Sequence, residues 1–578
     1  DKASDAFEVS LPVRPDRDRV TKRVLADLKP GSPVTLPGVP ETPRAGTLRR
    51  SILVSDQPGL VKMAAGLDFF LEYPYGCTEQ QLSRARAFIA LRKFRSLLAQ
   101  KSTSKNAGVR ADAELKKAVK DTEEWIAGAV DSEGLVAYWP GSRGYVSLTA
   151  WSVQLLVEAK EAGFSVDAKL LERLTATLER ALRSDYSRFI DGEAFVERAW
   201  ALLALAQAGK FDAAYAAELA RSAQFLRLEN VAGVVQAFSR SKDAKSGTVE
   251  ALTKRLWDGL VVRLYQGHET YGGLQTNAWG GSGLVLPSET RTVAEVSRAL
   301  AKTGPANPRL QLLIDALVTL GQDDGWGSTN ANASALLALS QVLQPPYQGS
   351  TQQTVTVRQG SSEETIEIGP NSPVGVLSAI PGPPGESVEV ALKPSGARVK
   401  DVVVRAETSY VPEADGSHVA PAASGFVVTR EQLIWKGEGA PMERRALAEA
   451  GSVQKLTVGD VVEEHVQIVN PKERHYVAVV VPLAAGMEPL NPALKTAPSE
   501  AKPAGILTKG ASYVQFLDDQ VAFYYDTLPA GTFDFYFRVR ATVAGAFIQP
   551  PAKAEMMYDG AVRGTSAGAK VVITRAEK

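Results

Sequence analysis

The sequence predicts a multidomain protein of α and β parts. A helical block, an α/α toroid, is inserted in a β domain assembled from the segments on either side of it, and a C-terminal β-sandwich follows. Three observations predict this. Helical periodicity, rich in Ala and Leu, runs from about Gln57 to about Leu343. Alternating, strand-like segments flank it on both sides. A last strand-rich block runs from Gly425 to the end.

In chain order, Phe7–Leu11 alternates, as does Thr47–Val54 in part, with the turns Pro30-Gly31-Ser32-Pro33 and Pro37-Gly38-Val39-Pro40 between them. Within the helical block, Leu148–Ala162, Phe195–Ala208, Thr292–Lys302 and Ala331–Val342 carry the clearest periodicity. A theme recurs there. Gly134-Leu135-Val136-Ala137-Tyr138-Trp139, Tyr271-Gly272-Gly273-Leu274 and Asp324-Gly325-Trp326-Gly327-Ser328-Thr329 each precede a helix with many small residues. Small residues let helix axes approach, and repeated helical hairpins can close into a ring. After Pro345 the strand pattern returns in Gln353–Val357, Thr365–Ile368, Ser387–Val390 and Val402–Val404. Glu413–Ser424 reads as a linker, and Val461–Ile468, Tyr476–Val481, Val521–Tyr525 and Phe533–Val543 as sandwich strands. The boundaries so read are 1–56, 57–345, 346–412 and 413–578.

The 578 residues exceed one ordinary core and predict roughly three domains of ~100–200 residues. Lys plus Arg equal Asp plus Glu at 65 each, so no electrostatic footprint for nucleic acid or an anionic membrane is expected. The apolar run Tyr476–Met487 is too short to span a bilayer and is broken by Pro482. A single cysteine excludes an intrachain disulfide, and the four histidines are far apart, so neither a metal nor another cofactor is expected. Asp323-Asp324 reads as a solvated, helix-capping turn rather than a metal or diphosphate site. The chain opens Asp-Lys-Ala-Ser, without an initiator Met, an apolar leader core or a lipobox-like cysteine, and is read as a fragment.

The chemistry concentrates in Tyr73-Pro74-Tyr75-Gly76-Cys77-Thr78-Glu79-Gln80, just before a helix read as about Gln81–Leu97. A bare Cys-x-x-Gln is more often a buried cysteine beside a surface glutamine. The whole octapeptide, however, resembles the thioester pattern of the bacterial alpha-2-macroglobulin family, with Thr78 in its variable place and Arg84 following. Leu528–Gly531, Phe535–Ala541 and Pro550–Tyr558 resemble the family's last domain. The order of the blocks resembles its CUB-like domain, the thioester domain inserted in it, and the C-terminal macroglobulin-type domain.

The resemblance implies a non-enzymatic endopeptidase inhibitor. A protease cuts an upstream bait, the molecule rearranges, and a Cys77–Gln80 thioester captures the protease through a Lys amine. The spacing suits a tight ring at a helix start, with Gly76 allowing unusual backbone angles next to Cys77. The implied partners are proteases, the upstream macroglobulin and bait domains, and a peptidoglycan-building penicillin-binding protein. The implied location is the periplasm, with lipid anchoring to the inner membrane.

Two readings of Tyr73 and Tyr75 stand: aromatics packing the start of the helical domain, or a cover that keeps water off the bond, with Pro74 fixing the angle between the rings. The resemblance implies that Met557, with Tyr558, meets Tyr73 over the bond; otherwise the Met556 and Met557 side chains are ordinary sandwich core. Some relatives use a His to help hydroxyls attack. His268 does not align with it and reads as a loop residue, so the bond should prefer amines. The alternatives to a protease trap are a covalent adhesion module using the same bond and a toroid enzyme acting on isoprenoids, which would need an aromatic cavity with clustered carboxylates.

Overall fold

The computed structural model describes residues 16–94, 107–183, 185–190, 192–242, 246–265, 267–275, 288–322, 325–343, 351–378, 383–393, 401–437, 442–447 and 449–575. Phe7–Leu11 and Asp323-Asp324 lie outside the described residues. The chain divides into two compact units. One comprises Lys22–Val39 and Arg49–Thr408; the other gathers the chain up to Thr21, Pro40–Leu48 and everything from Ser409 onward.

The first unit contains a two-sheet sandwich built from both flanks of the helical block. Its strands are β1 (Val20–Leu28), β2 (Val34–Leu36) and β3 (Arg49–Ser55) before the helices, and β4 (Gln353–Gln359), β5 (Ser362–Ile368), β6 (Val374–Ser378), β7 (Val388–Leu392) and β8 (Val402–Tyr410) after them. One sheet runs β1-β8-β3-β6 and the other β2-β7-β4-β5. Each sheet therefore mixes strands from before and after the insertion. β6 lies antiparallel on β3, from Val374 opposite Ser55 to Ser378 opposite Ser51, and Val388 of β7 lies opposite Leu36 of β2. Alternate residues point inward, as the strand period requires. Leu28, Ile52 and Val54 of one sheet share a core with Leu36, Val355, Val357, Ile366 and Val390 of the other.

Between the flanks the chain runs through α1 (Pro58–Glu72), α2 (Thr78–Leu91), α3 (Ala107–Gly128), α4 (Val146–Glu161), α5 (Ala168–Ala181), α6 (Ala194–Gln207), α7 (Ala213–Arg221), α8 (Leu228–Phe238), α9 (Gly247–Asp258), α10 (Glu289–Thr303), α11 (Leu310–Leu320) and α12 (Thr329–Val342). The even-numbered helices touch in sequence, α2 to α4, α4 to α6 and onward to α12, and α12 closes back on α2. Each odd-numbered helix packs outside a neighbouring pair. This is an α/α toroid, as the sequence predicts.

Burial explains the sorting. α4 is buried without a break from Val146 to Val157 and α6 from Val196 to Gln207, whereas α5 buries only Leu170, Leu174, Thr175, Thr177, Leu178 and Ala181. A helix buried all round belongs inside, and one with a single apolar stripe belongs on the outside. The caps fit this order. Asp167, Asp212, Ser246, Ser288 and Ser328 accept hydrogen bonds from the first turns of α5, α7, α9, α10 and α12. In the Gly-aromatic turn before α12, Gly325 and Gly327 hold φ of +108° and +80°, a region open to glycine.

The centre of the ring is polar. Residues of α2, α4, α6, α10 and α12 line one small cavity there, and charged side chains bridge neighbouring inner helices. Arg86 donates twice to Glu158 at 2.8 Å, Arg291 donates to Glu229 at 2.8 and 3.1 Å, and Gln236 donates to Glu295 at 3.0 Å. Charges removed from water persist only when paired in this way.

The second unit is the predicted sandwich. A six-stranded sheet contains Arg474–Pro482, Gln520–Leu528, Lys553–Met556 and Asp559–Thr565, and a five-stranded sheet contains Val427–Ile434, Val461–Asn470 and Gly531–Ala541. Phe426, Val466, Val479, Phe523, Tyr525 and Phe535 fill the space between them. A third, small sheet pairs Ser452–Thr457 parallel with Ala569–Thr574. The expected linker holds a 3-10 turn, Gly416–His418, capped by Asp415, and a short strand, Ala422–Ser424, paired with Arg563–Thr565. Among the described residues, no helix is long and apolar enough to cross a membrane.

Candidate functional site

α1 ends with the Tyr73 N–H on the Phe69 carbonyl at 3.0 Å, and a short extended link carries the chain to Cys77, the N-cap of α2. Cys77 is completely buried and Gln80 nearly so. Their side chains close a reciprocal capping box. The Cys77 sulfur accepts from the Gln80 backbone N–H, and Gln80 Oε1 accepts from the Cys77 backbone N–H at 3.0 Å. A Ser or Thr with a Glu or Gln three residues on usually forms this box. Here it folds the Gln80 carboxamide back onto the residue that carries the sulfur. The amide nitrogen, Nε2, donates to the Tyr73 hydroxyl at 2.8 Å.

The neighbours of this pair are fixed just as firmly. The Thr78 backbone N–H donates to the Tyr138 carbonyl at 3.0 Å, and its hydroxyl donates to the Ala137 carbonyl at 2.6 Å while accepting from Trp125 Nε1 at 2.9 Å. Thus the Gly134–Trp139 turn seats the first turn of α2. Buried Glu79 accepts from Ser83 at 2.6 Å and from Thr329 of α12 at 2.7 Å. Gln81 Nε2 donates to the Gly76 carbonyl at 2.8 Å.

The structure brings Tyr73, Tyr75, Cys77 and Gln80 together. The Tyr73 and Tyr75 rings meet edge-on with centroids 5.8 Å apart, and Tyr73 also lies 5.3 Å from Phe69. Both tyrosines are half-buried. Met557 and Tyr558 belong to the other unit, in the turn between Lys553–Met556 and Asp559–Thr565. There the Met557 N–H donates to the Tyr476 carbonyl at 2.8 Å, and the Tyr558 ring meets Tyr476 edge-on at 5.2 Å. His268 opens the strand His268–Leu274; its side chain lies outside the described residues.

Two local expectations need correction. The helix begins at Thr78, not Gln81, because the cysteine itself acts as the N-cap. Gly76 does not use glycine's freedom: its φ lies outside the left-handed region, and a Cβ there would meet Gln81 Nε2 at an ordinary 3.7 Å.

The polar centre of the ring leaves little trace in the sequence. The only sequence signal is the set of charges, such as Glu197-Arg198 and Arg291, inside otherwise apolar helical windows. Ser147, Trp151, Glu193, Glu197, Trp200, Arg227 and Arg291 line a second cavity there. Burial pushes the Glu197 carboxyl up to about 7, against the lowering effect of backbone N–H groups at Ile190 and Ser147 and with help from neighbouring Glu193. This cavity has aromatics and carboxylates, but it is neutralised by arginines and has room for about one water molecule. An isoprenoid chain does not fit. Among the described residues, no group of three or more His, Cys, Asp or Glu could hold a metal ion.

Residues 425–560 match the family model of the bacterial alpha-2-macroglobulin MG10 domain. No curated protein sequence matches the chain. Its fold is similar to a crystal structure of Salmonella alpha-2-macroglobulin reacted with methylamine, at 20% identity and a TM-score of 0.71, over 96% of this chain and 34% of that one. A crystal structure of native alpha-2-macroglobulin from Escherichia coli, spanning domain MG7 to the C-terminus, matches at 19% identity and a TM-score of 0.67, over 97% of this chain and 83% of that one. The cryo-EM reconstruction of the native conformation of the E. coli protein matches at 19% identity and a TM-score of 0.69, over 97% of this chain and 33% of that one. The chain thus spans about a third of the length of the Salmonella protein it matches. It therefore carries the bacterial alpha-2-macroglobulin MG10 domain at residues 425–560 and, over nearly its whole length, the fold of the C-terminal region of bacterial alpha-2-macroglobulins.

Proposed function

We propose that this chain is the covalent-capture part of a bacterial protease trap, and that Cys77 and Gln80 join in an internal thioester. The observation that carries the reading is the buried, reciprocal Cys77–Gln80 cap at the start of α2. In ring closure the Cys77 sulfur attacks the Gln80 side-chain carbonyl carbon, the C–N bond breaks and ammonia leaves. In capture, a Lys amine of the bound protease attacks the same carbon, the C–S bond breaks, and one amine proton ends on the sulfur. The product is an amide to the protease and a Cys77 thiol.

Three local features support this chemistry. The Cys77 N–H already sits on the carbonyl oxygen, where it stabilises the oxyanion of the tetrahedral intermediate. The N-terminus of α2 favours negative charge developing on the sulfur. Burial keeps water, the competing nucleophile, from the bond. The Salmonella relative was studied after reaction with methylamine, a small primary amine of the kind this bond would take.

In this reading the trigger is cleavage of a bait upstream of the residues described here. The protein acts in the periplasm, lipid-anchored to the inner membrane, beside a peptidoglycan-synthesising penicillin-binding protein. Mass spectrometry of the peptide containing Cys77 and Gln80, before and after methylamine, tests the chemistry. The expected result is a peptide lighter by one ammonia in fresh protein, then methylamide at Gln80 with appearance of a titratable thiol. A full complement of thiol in fresh, folded protein with no methylamine at Gln80 would overturn the reading.

A further inference from the structure

The Gln80 carboxamide has the same atoms as the product of capture. Nε2 stands where the nitrogen of the captured amine ends, the side-chain carbonyl carbon is the acyl carbon, and Oε1 is its oxygen. In this arrangement Oε1 is held by the Cys77 N–H, and Nε2 donates to the Tyr73 hydroxyl at 2.8 Å. The hydroxyl oxygen therefore accepts an N–H of the nitrogen that enters or leaves. We propose that Tyr73 is a catalytic residue of the thioester reaction, rather than only an aromatic neighbour: its hydroxyl relays the proton of the attacking amine. This rests on the thioester reading above.

The need for such a group follows from proton balance. An amine that adds to the acyl carbon becomes a cationic nitrogen, and it must lose a proton before the C–S bond can break productively. The thiolate that leaves must gain one. A hydroxyl that accepts from the nitrogen and donates its own proton toward the departing sulfur performs both transfers and ends unchanged. Tyr73 lies four residues before Cys77, and its backbone is anchored to the end of α1 while its ring is held between Phe69 and Tyr75. The oxygen is thus aimed at one side of the carboxamide while the Cys77 N–H holds the other. By microscopic reversibility the same hydroxyl passes the thiol proton to the Gln80 carboxamide nitrogen, which then leaves as ammonia when the bond first forms.

Two substitutions separate this role from a simple cover. Tyr73→Phe keeps the ring and removes only the oxygen; Tyr73→Ala removes both. Thioester content is measured by mass spectrometry in each variant, and methylamine uptake is expressed per intact bond across a range of pH. The proposal expects Tyr73→Phe to take up methylamine on the order of 10²-fold more slowly than wild type. A Tyr73→Phe protein with a native near-UV spectrum but no bond at all is the limiting case of the same defect, since ring closure uses the same contact. A cover alone expects wild-type rates in Tyr73→Phe and faster loss of the bond in Tyr73→Ala. Uptake by Tyr73→Phe equal to or faster than wild type therefore overturns the proposal. Absence of the bond in wild type refutes the thioester reading instead.

Discussion

Thr78→Val should destabilise the helical unit by about 2–3 kcal/mol, through hydrogen bonds rather than packing. Valine has nearly the shape of threonine, so the substitution leaves no cavity. It removes the hydroxyl that donates to the Ala137 carbonyl at 2.6 Å and accepts from Trp125 Nε1 at 2.9 Å. Ala137 is completely buried, and its carbonyl loses a short bond for the cost of a stranded buried acceptor, about 1–3 kcal/mol. The partly buried Trp125 N–H adds about 1 kcal/mol, and the extra methyl returns a fraction of it. Every tryptophan except Trp435 lies in the helical unit's stretch of the chain, so tryptophan fluorescence during urea unfolding reports on that unit. The midpoint should fall with an unchanged slope. Thr78→Ser keeps the hydroxyl and should lose only about 1 kcal/mol, the value of one buried methyl. A Val variant as stable as wild type, or a Ser variant less stable than Val, would refute the reasoning.

Glu197 carries a pH prediction. Its folded value, about 7, lies above the ordinary 4.5, so the folded state holds a proton that the unfolded state releases. The stability this proton supplies is complete below pH 4.5 and is lost as the pH rises to about 7, on the order of 3 kcal/mol in all. Glu197→Gln should flatten that decline, raising the thermal midpoint at pH 8 and scarcely moving it at pH 4; an unchanged profile argues against it. In the sandwich, Arg430 and Glu464 form a fully buried pair at 2.9 Å. Arg430→Met should cost about 3–5 kcal/mol in urea unfolding followed by far-UV circular dichroism, and adding Glu464→Met should recover part of it, because the stranded charge is then gone. Glu79→Ala removes the acceptor shared by Ser83 and Thr329. It should lower the stability of the ring by about 1–3 kcal/mol, read as a lower urea midpoint in tryptophan fluorescence.

Much of this architecture is written locally in the chain. The period change at about Gln57 and again after Leu343 marks the inserted ring, because strands bury alternate residues and helices every third to fourth, and the two cannot share a pattern. The buried Cys77–Gln80 pair is legible because the two residues stand at the N-cap and N3 spacing of a helix start. The start itself lies one turn before the point the pattern suggests, because cysteine is not a usual cap. Gly76 differs for a related reason: a glycine beside a sharp transition suggests special backbone angles, and here the Gln81 side chain simply closes over it.

The ring's polar centre was not legible. Glu197, Glu229, Arg291 and Glu295 interrupt apolar windows, and only closure of the ring brings their partners from other helices. The parallel pairing of Ser452–Thr457 with Ala569–Thr574 was equally hidden, because nothing in either segment encodes a partner so distant in the chain.

The hydrogen bond from Thr329 to Glu79 joins the last inner helix to the first. On a ribosome these two residues emerge far apart in time. The cap of Cys77 by Gln80 is local and can form as soon as α2 exists, but α12, which walls in that helix, is among the last parts of the ring to be made. Local contacts form early and distant ones wait for loop closure. A nascent chain can therefore hold the Cys77 and Gln80 side chains near each other long before it can keep water away from them. If Cys77 and Gln80 join as proposed, completion of the ring is a checkpoint in time: a thioester made before α12 arrives is open to hydrolysis, and one made afterwards is kept.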